Sequence, residues 1–212
     1  SLLALLKQRA EHLLIEGYAA EHLDVDSVSN DPARTVELIV DHLFARGHRR
    51  IAWITEDGRN YFFQRTAALF RAHCHGAGRS EQDCPVIPAA SDPDKLGIRE
   101  LGPCLRRLVG ADGKLPFTAI VIASFVDGRT IIDALAHCGL DTPGDVAVVR
   151  LGTPDLESDH VGRLTIAGRS SLQAATTVLD RLQWRWSNPA APYESCYDTP
   201  TLCVLGSTGA PR

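Results

Sequence analysis

The sequence predicts an α/β protein organised around a parallel sheet, and three observations carry that expectation. From residue 31 onward, short apolar runs of strand length alternate with segments of helical periodicity. One run, residues 117–123, is apolar almost throughout, as a strand covered on both faces has to be. The links between these segments are short and rich in Gly, Pro and Asp, so the rhythm is strand, helix, strand, helix.

The first thirty residues are sparse, with one helix and strand candidates at 12–15 and 25–28. Asp31-Pro32 then opens a helix, because the aspartate accepts the free N–H groups of the first turn and proline needs no donor there. Val36, Ile39, Val40, Leu43 and Phe44 recur three and four residues apart and form one apolar face, and Gly47 ends it. Residues 49–55 read as a short buried strand and 61–73 as the next helix, closed by Gly76 or Gly78. A brief strand is expected at 85–88, between prolines. Asp92-Pro93 repeats the helix opening, with Leu101, Leu105 and Leu108 on the buried side. After the central strand come a helix at 127–137, stopped by Gly139, and a strand at 145–150. Residues 164–166 form a short apolar bridge. The helix at 170–184 carries Leu172, Ala175, Val178, Leu179 and Leu182 on its apolar face, with Trp184 and Trp186 in packing or interface positions. A turn at 187–192 and a strand at 201–205 close the chain.

Composition bounds the function. Hydrophobic residues make up 44% and charged residues 23% of the 212, enough for a substantial core. The net charge of −4, with no basic block, argues against direct nucleic-acid binding, which needs clustered Lys and Arg. No apolar run approaches the roughly 20 residues of a membrane span. The apolar start lacks a basic head and runs into Lys7, Gln8 and Arg9, a helix and not a signal peptide. The six cysteines (Cys74, Cys84, Cys104, Cys138, Cys196, Cys203) form no CxxC pair and read as reduced, small hydrophobes of a cytoplasmic protein, although spacing leaves disulfide pairing open.

Enzymatic and metal motifs are not found. His73-Cys74-His75 does not present convergent ligands from a helix, and Cys84 is the single nearby addition, so no metal site is expected. Gly76-Ala77-Gly78 follows a helix instead of opening one and is no dinucleotide loop. No motif activates a serine or cysteine nucleophile, so neither a cofactor nor enzymatic turnover is expected. Ligands of parallel α/β sheets sit beyond the carboxyl ends of the strands, which selects the loops at 29–31, 56–61, 124–127 and 152–155.

Several blocks carry a resemblance. Val28-Ser29-Asn30-Asp31, His42-Leu43 and Gly47-His48-Arg49-Arg50-Ile51-Ala52 are followed by Thr118-Ala119-Ile120, Ala134-Leu135, Gly139-Leu140, Pro143 and Asp145-Val146-Ala147-Val148. Leu164-Thr165-Ile166, Pro200-Thr201-Leu202 and Gly206-Ser207-Thr208 complete the series, in order over residues 25–212. Together they resemble the LacI/GalR family of bacterial transcription regulators. The resemblance implies a periplasmic-binding-protein-like fold of type I, with two parallel-sheet subdomains joined by crossovers and the amino-terminal one incomplete here. Residues 1–31 and 164–192 would belong to the amino-terminal subdomain, 32–163 to the carboxy-terminal one, and 193–212 to a closing strand and tail.

The implied function is to sense a small sugar-like effector in the cleft and to dimerise, relaying occupancy to operator DNA through a headpiece absent from this chain. The implied partners are the effector and a second copy, with no membrane. Arg65 matches the family position whose guanidinium grips ligand hydroxyls or carboxylates; otherwise it is a surface arginine pairing with Glu56 or Asp57. Ser124-Phe125 stands where relatives carry Asn-Asp: Ser124 keeps a donor and acceptor, while Phe125 either stacks on a flat ligand face or fills the core. Asp127 either supplies the missing acid or caps a helix. Thr153, after Gly152, replaces the sugar-gripping aspartate, with Asp155 nearby. Rival readings are a solute-binding receptor of a transporter, which shares the fold, and an α/β enzyme without a recognised motif.

Overall fold

The computed structural model describes residues 2–17, 23–55, 61–89, 101–124, 126–155 and 164–211. In chain order the elements are α1 (Leu2–Arg9), β1 (Leu14–Glu16), β2 (Asp26–Asn30), α2 (Pro32–Ala45), β3 (Ile51–Thr55), α3 (Tyr61–Gly76), β4 (Val86–Pro88) and α4 (Leu101–Leu108). They continue with β5 (Ala119–Ala123), α5 (Gly128–His137), β6 (Ala147–Leu151), β7 (Thr165–Gly168), α6 (Ser171–Ser187), β8 (Ser195–Asp198) and β9 (Thr201–Cys203). Two sheets result, one of order β4-β3-β5-β6-β7-β9 and one of order β1-β2-β8. Every pairing is parallel except β7 with β9.

The larger sheet is covered on both faces, and strand alternation decides which residue goes where. Trp53, Val121 and Val149 pack with Val36, Ile39, Leu43, Phe63 and Phe70 of α2 and α3. Ala52, Ile54, Ile120, Ile122 and Val148 point the other way, onto Leu101, Leu105, Ile131 and Leu135 of α4 and α5. Local chemistry sets the helix ends as expected. Asp31 accepts from the amides of Ala33 and Arg34 at the start of α2, and Gly47 follows its end at φ 94°. Asp92-Pro93 falls outside the described residues.

Three features differ from the expectation. The bridge at 164–166 is a full strand of the larger sheet, β7, paired with β6 and β9. The chain therefore returns to the smaller sheet only with α6, and not at residue 164. Residues 195–198, expected only as part of a closing segment, form β8 and complete the smaller sheet beside β2. The apolar stripe of α6 faces outward: Leu172 is 74% and Leu179 65% exposed, and Ala175 is exposed too. The helix buries Arg181 and Arg185 instead, because Asp26 of β2 receives both guanidinium groups.

The tail is held by buried polar groups. Ser207 Oγ donates to the Val148 carbonyl at 2.6 Å and accepts from the Thr165 amide at 2.8 Å, stitching the tail to β6 and the start of β7. His48 is buried with Nε2 2.8 Å from the Gly209 carbonyl and Nδ1 3.0 Å from Thr118 Oγ1. A carbonyl only accepts, so Nε2 donates and neutral His48 accepts the Thr118 hydroxyl at Nδ1. Burial lowers the proton affinity of His48, Arg46 adds to this, and the bond to Gly209 partly opposes it. The unfolded chain thus binds more protons below the ordinary histidine value of 6.5. Stability from His48 is intact above that value and falls as the pH drops, by at most about 1.4 kcal/mol per pH unit. Urea midpoints measured between pH 7 and 5 should fall, and less steeply in His48→Gln. Equal slopes in both proteins would contradict this role.

Candidate functional site

The chain passes between the sheets three times: from β2 to α2, from β7 to α6 and from β8 to β9. These passages are knit around Asp198. Its backbone carbonyl accepts from the Asp31 amide at 3.0 Å, and its carboxylate from Thr177 Oγ1 at 2.6 Å and from Arg169. Arg169 also donates to Glu16 at the end of β1. A buried arginine thus ties the ends of β1 and β8 to the exit of β7.

The order of the larger sheet reverses at β3, which has β4 on one side and β5 on the other. Parallel sheets hold ligands outside the carboxyl ends at such a reversal. Thr55 closes β3 and Ser124 follows β5. Asn30 Oδ1, at the end of β2, and Thr55 Oγ1 are buried with no hydrogen-bond partner among the described residues. An acceptor and a hydroxyl in such positions suit the hydroxyl groups of a polar ligand. Asn30, the last residue of β2, falls within the segment 29–31 selected from sequence. Thr55 was not singled out, and strand-end position was its signal.

Arg65, on the first turns of α3, reaches from the larger lobe to the smaller one. Its Nη1 donates to Tyr197 Oη at 3.3 Å and Tyr61 Oη at 3.5 Å, and its guanidinium lies 5.9 Å from the Tyr197 ring centroid. Tyr197 belongs to β8, a strand the sequence did not reveal, so it was missed as a site residue. Thr153 contributes to a pocket of about 470 Å³ with Glu16, Arg169, Ser170 and Ser171, drawn from both lobes.

Other expected residues have local duties. Ser124 is buried and its Oγ accepts from the Val126 amide at 3.2 Å, closing the turn after β5. Asp127 caps α5, accepting from the Thr130 amide at 3.0 Å and its hydroxyl at 2.7 Å. Those bonds hold its carboxyl below the ordinary value. Asp155 accepts from the Ser171 amide at 2.8 Å and its hydroxyl at 2.6 Å, anchoring the loop after β6 to the start of α6, and these bonds lower its carboxyl likewise. Glu56, Asp57 and Phe125 lie outside the described residues. Among the described residues no group of three or more His, Cys, Asp or Glu gathers as a metal site, and no helix is long and apolar enough to cross a membrane.

The periplasmic binding protein-like domain family matches residues 40–208. The chain belongs to that family.

Among solved structures, this periplasmic binding protein-like domain is similar to a LacI transcriptional regulator from a Rhodococcus species. The two are 23% identical with a TM-score of 0.79, over 98% of this chain and 73% of that one. It is also similar to a LacI family regulator from Mycobacterium smegmatis, at 22% identity and TM-score 0.74, over 100% of this chain and 84% of that one. A third is a LacI family regulator from Enterococcus faecium with bound ribose, at 15% identity and TM-score 0.77, over 98% of this chain and 74% of that one. These likenesses establish the two-lobed fold expected from sequence. None of the curated proteins compared with the chain matches it.

Proposed function

We propose that this domain is the effector-sensing and dimerising part of a LacI-type transcription regulator, taking a small sugar-like molecule between its lobes. The observation that carries the reading is Arg65. A guanidinium with five donors in a fixed fork, placed beyond a strand end and already touching Tyr197 of the other lobe, suits recognition of a polyol by both lobes at once. An aromatic ring beside it offers a stacking face, as sugar sites commonly do. The neighbour from Enterococcus faecium holds ribose, and one from Weissella paramesenteroides holds sucrose, which supports the ligand class. Arg65, Tyr197, Asn30, Thr55 and Thr153 are assigned to ligand contact, and Asp155 with Asp198 to the passages between lobes.

In this mechanism the effector binds one arrangement of the lobes better than the other, and that difference alone does the regulatory work. A dimer would relay it to paired DNA-reading headpieces, whose spacing on the operator is strict.

A thermal-shift screen of pentoses, hexoses, disaccharides, sugar phosphates, purines and small acids tests the reading. A sugar present at one hundred times its Kd should stabilise by about 2.7 kcal/mol. Arg65→Ala should lose that response while keeping its unliganded melting temperature. A screen without a stabilising sugar, or an unchanged shift in Arg65→Ala, would overturn the assignment.

A further inference from the structure

We infer that Arg169 is the carboxylate-binding residue of the effector pocket, that Glu16 holds its place in the unliganded domain, and that the effector is an acidic sugar. This rests on the reading of the space between the lobes as an effector site, and narrows its ligand class. The Arg169 side chain lines the pocket of about 470 Å³ together with Glu16, Thr153, Ser170, Ala174 and Val178.

Arg169 is held from both sides along the chain. It follows Gly168, the last residue of β7, which packs directly on the Gly152 backbone. Ser170, the next residue, caps α6, its Oγ accepting from the Gln173 amide at 3.1 Å. The side chain is only 10% exposed, so the planar guanidinium is fixed in orientation before any ligand arrives.

The guanidinium has two carboxylate partners, and they differ in kind. Nη1 donates to Asp198 Oδ2 at 2.5 Å, and Nη2 donates to Glu16 Oε1. Asp198 is 4% exposed and also accepts from Thr177 Oγ1 at 2.6 Å, which makes it a fixed part of the wall. Glu16 is 54% exposed and ends β1, an outer strand of the smaller sheet. Among the described residues its carboxylate has no other hydrogen-bond partner. Turning Glu16 into water costs little desolvation, and a ligand carboxylate in its place leaves the charge around Arg169 unchanged. A neutral hydroxyl there would forfeit the charge-assisted bond, which is about twice as strong as a neutral one.

The remaining lining suits the body of a sugar acid. The Thr153 and Ser170 hydroxyls can bond to ligand hydroxyls, and Ala174 and Val178 offer an apolar wall to its C–H groups. Glu16 belongs to the smaller lobe, Thr153 to the larger, and Arg169 to a passage between them. Exchange of Glu16 for a ligand therefore releases one tie at that passage, a contact on which two lobe arrangements can differ.

Calorimetric titration of the domain with glucuronate, galacturonate and gluconate, each beside its neutral counterpart glucose, galactose or sorbitol, tests the inference. At least one acid should bind about tenfold tighter than its counterpart. Glu16→Ala should raise that acid's affinity about tenfold, the gain expected when an internal competitor is present about nine-tenths of the time. Affinity for the neutral counterpart should stay the same. Arg169→Lys keeps a charge beside Asp198 but lacks the planar fork, and should weaken the acid about tenfold. Glu16→Ala alters an exposed strand end, so the test stands even where the Arg169 variant fails to fold. Absence of acid binding in both the parent and Glu16→Ala, or equal gains for acid and neutral sugar, would overturn the inference. A neutral sugar bound through Arg65 with no preference for its acid would overturn it alone and leave the sensing function intact. Acid binding that survives Arg65→Ala and is lost in Arg169→Lys would support it and overturn the role given to Arg65.

Discussion

Asp26→Ala is expected to cost about 3–5 kcal/mol of stability, the range for removing one partner of a buried ion pair. Asp26 is 1% exposed, and its two oxygens take Arg181 Nε and Nη2 at 3.0 and 2.6 Å and Arg185 Nε and Nη2 at 2.6 and 3.0 Å. The Glu194 amide adds a further bond at 3.1 Å. Both guanidinium groups lie against the Trp184 ring, at 4.1 and 5.3 Å, and Tyr193 covers Arg185 at 4.8 Å. Without the carboxylate, two charges stay buried, and among the described residues Glu194 and three carbonyls remain as their acceptors. Replacing all three together, as Asp26→Leu with Arg181→Met and Arg185→Met, should restore stability to within about 1 kcal/mol of the parent or exceed it, since the desolvation cost leaves with the charges. Urea unfolding followed by tryptophan fluorescence measures both. A single-variant loss under about 1 kcal/mol would mean that water reaches the network. Burial alone would raise the Asp26 carboxyl, but the arginine bonds outweigh it and hold it below 3.8. Its contribution is therefore present above that value and lost as the pH falls through the lowered one.

Gly168→Ala is expected to cost about 3 kcal/mol and to weaken any ligand response. A methyl group at Gly168 would fall onto the carbonyl oxygen of Gly152, a backbone atom that cannot rotate aside. At the same place the Gly152 amide donates to the Ala167 carbonyl at 3.1 Å, so relief requires β6 and β7 to part at their ends. The next residue is Arg169, which holds Glu16 and Asp198. Strain at Gly168 thus reaches the passages between lobes. Gly76→Ala is the matched control: nothing lies within 4 Å of its added methyl, and alanine suits a helix end. It should be neutral or stabilising by up to about 1 kcal/mol. Equal losses in the two variants would contradict the steric reason.

How far the sequence could be read followed the range of the forces involved. Asp31-Pro32, the Val36–Leu43 spacing and the apolar run at 117–123 are local signals; the first two became α2, and the run holds β5 from Ala119 to Ala123. Asp127 was open between ligand acid and helix cap, and the Thr130 bonds show the cap. The stripe of α6 misled because periodicity identifies which residues share a face, not whether the fold covers it. Leucines without a neighbour stay outside, whereas arginines opposite a carboxylate go in.

The sequence alone determined the α/β class, the helix starts at Asp31-Pro32 and Asp127, the central strand and the family, since each depends on residues a few positions apart or on blocks in order. Only the tertiary structure decided that β7 joins the larger sheet, that Tyr197 meets Arg65 and that Arg181 and Arg185 meet Asp26. Those outcomes depend on which distant surfaces the packed chain brings within a few ångströms. Local propensity carries no information about that distance.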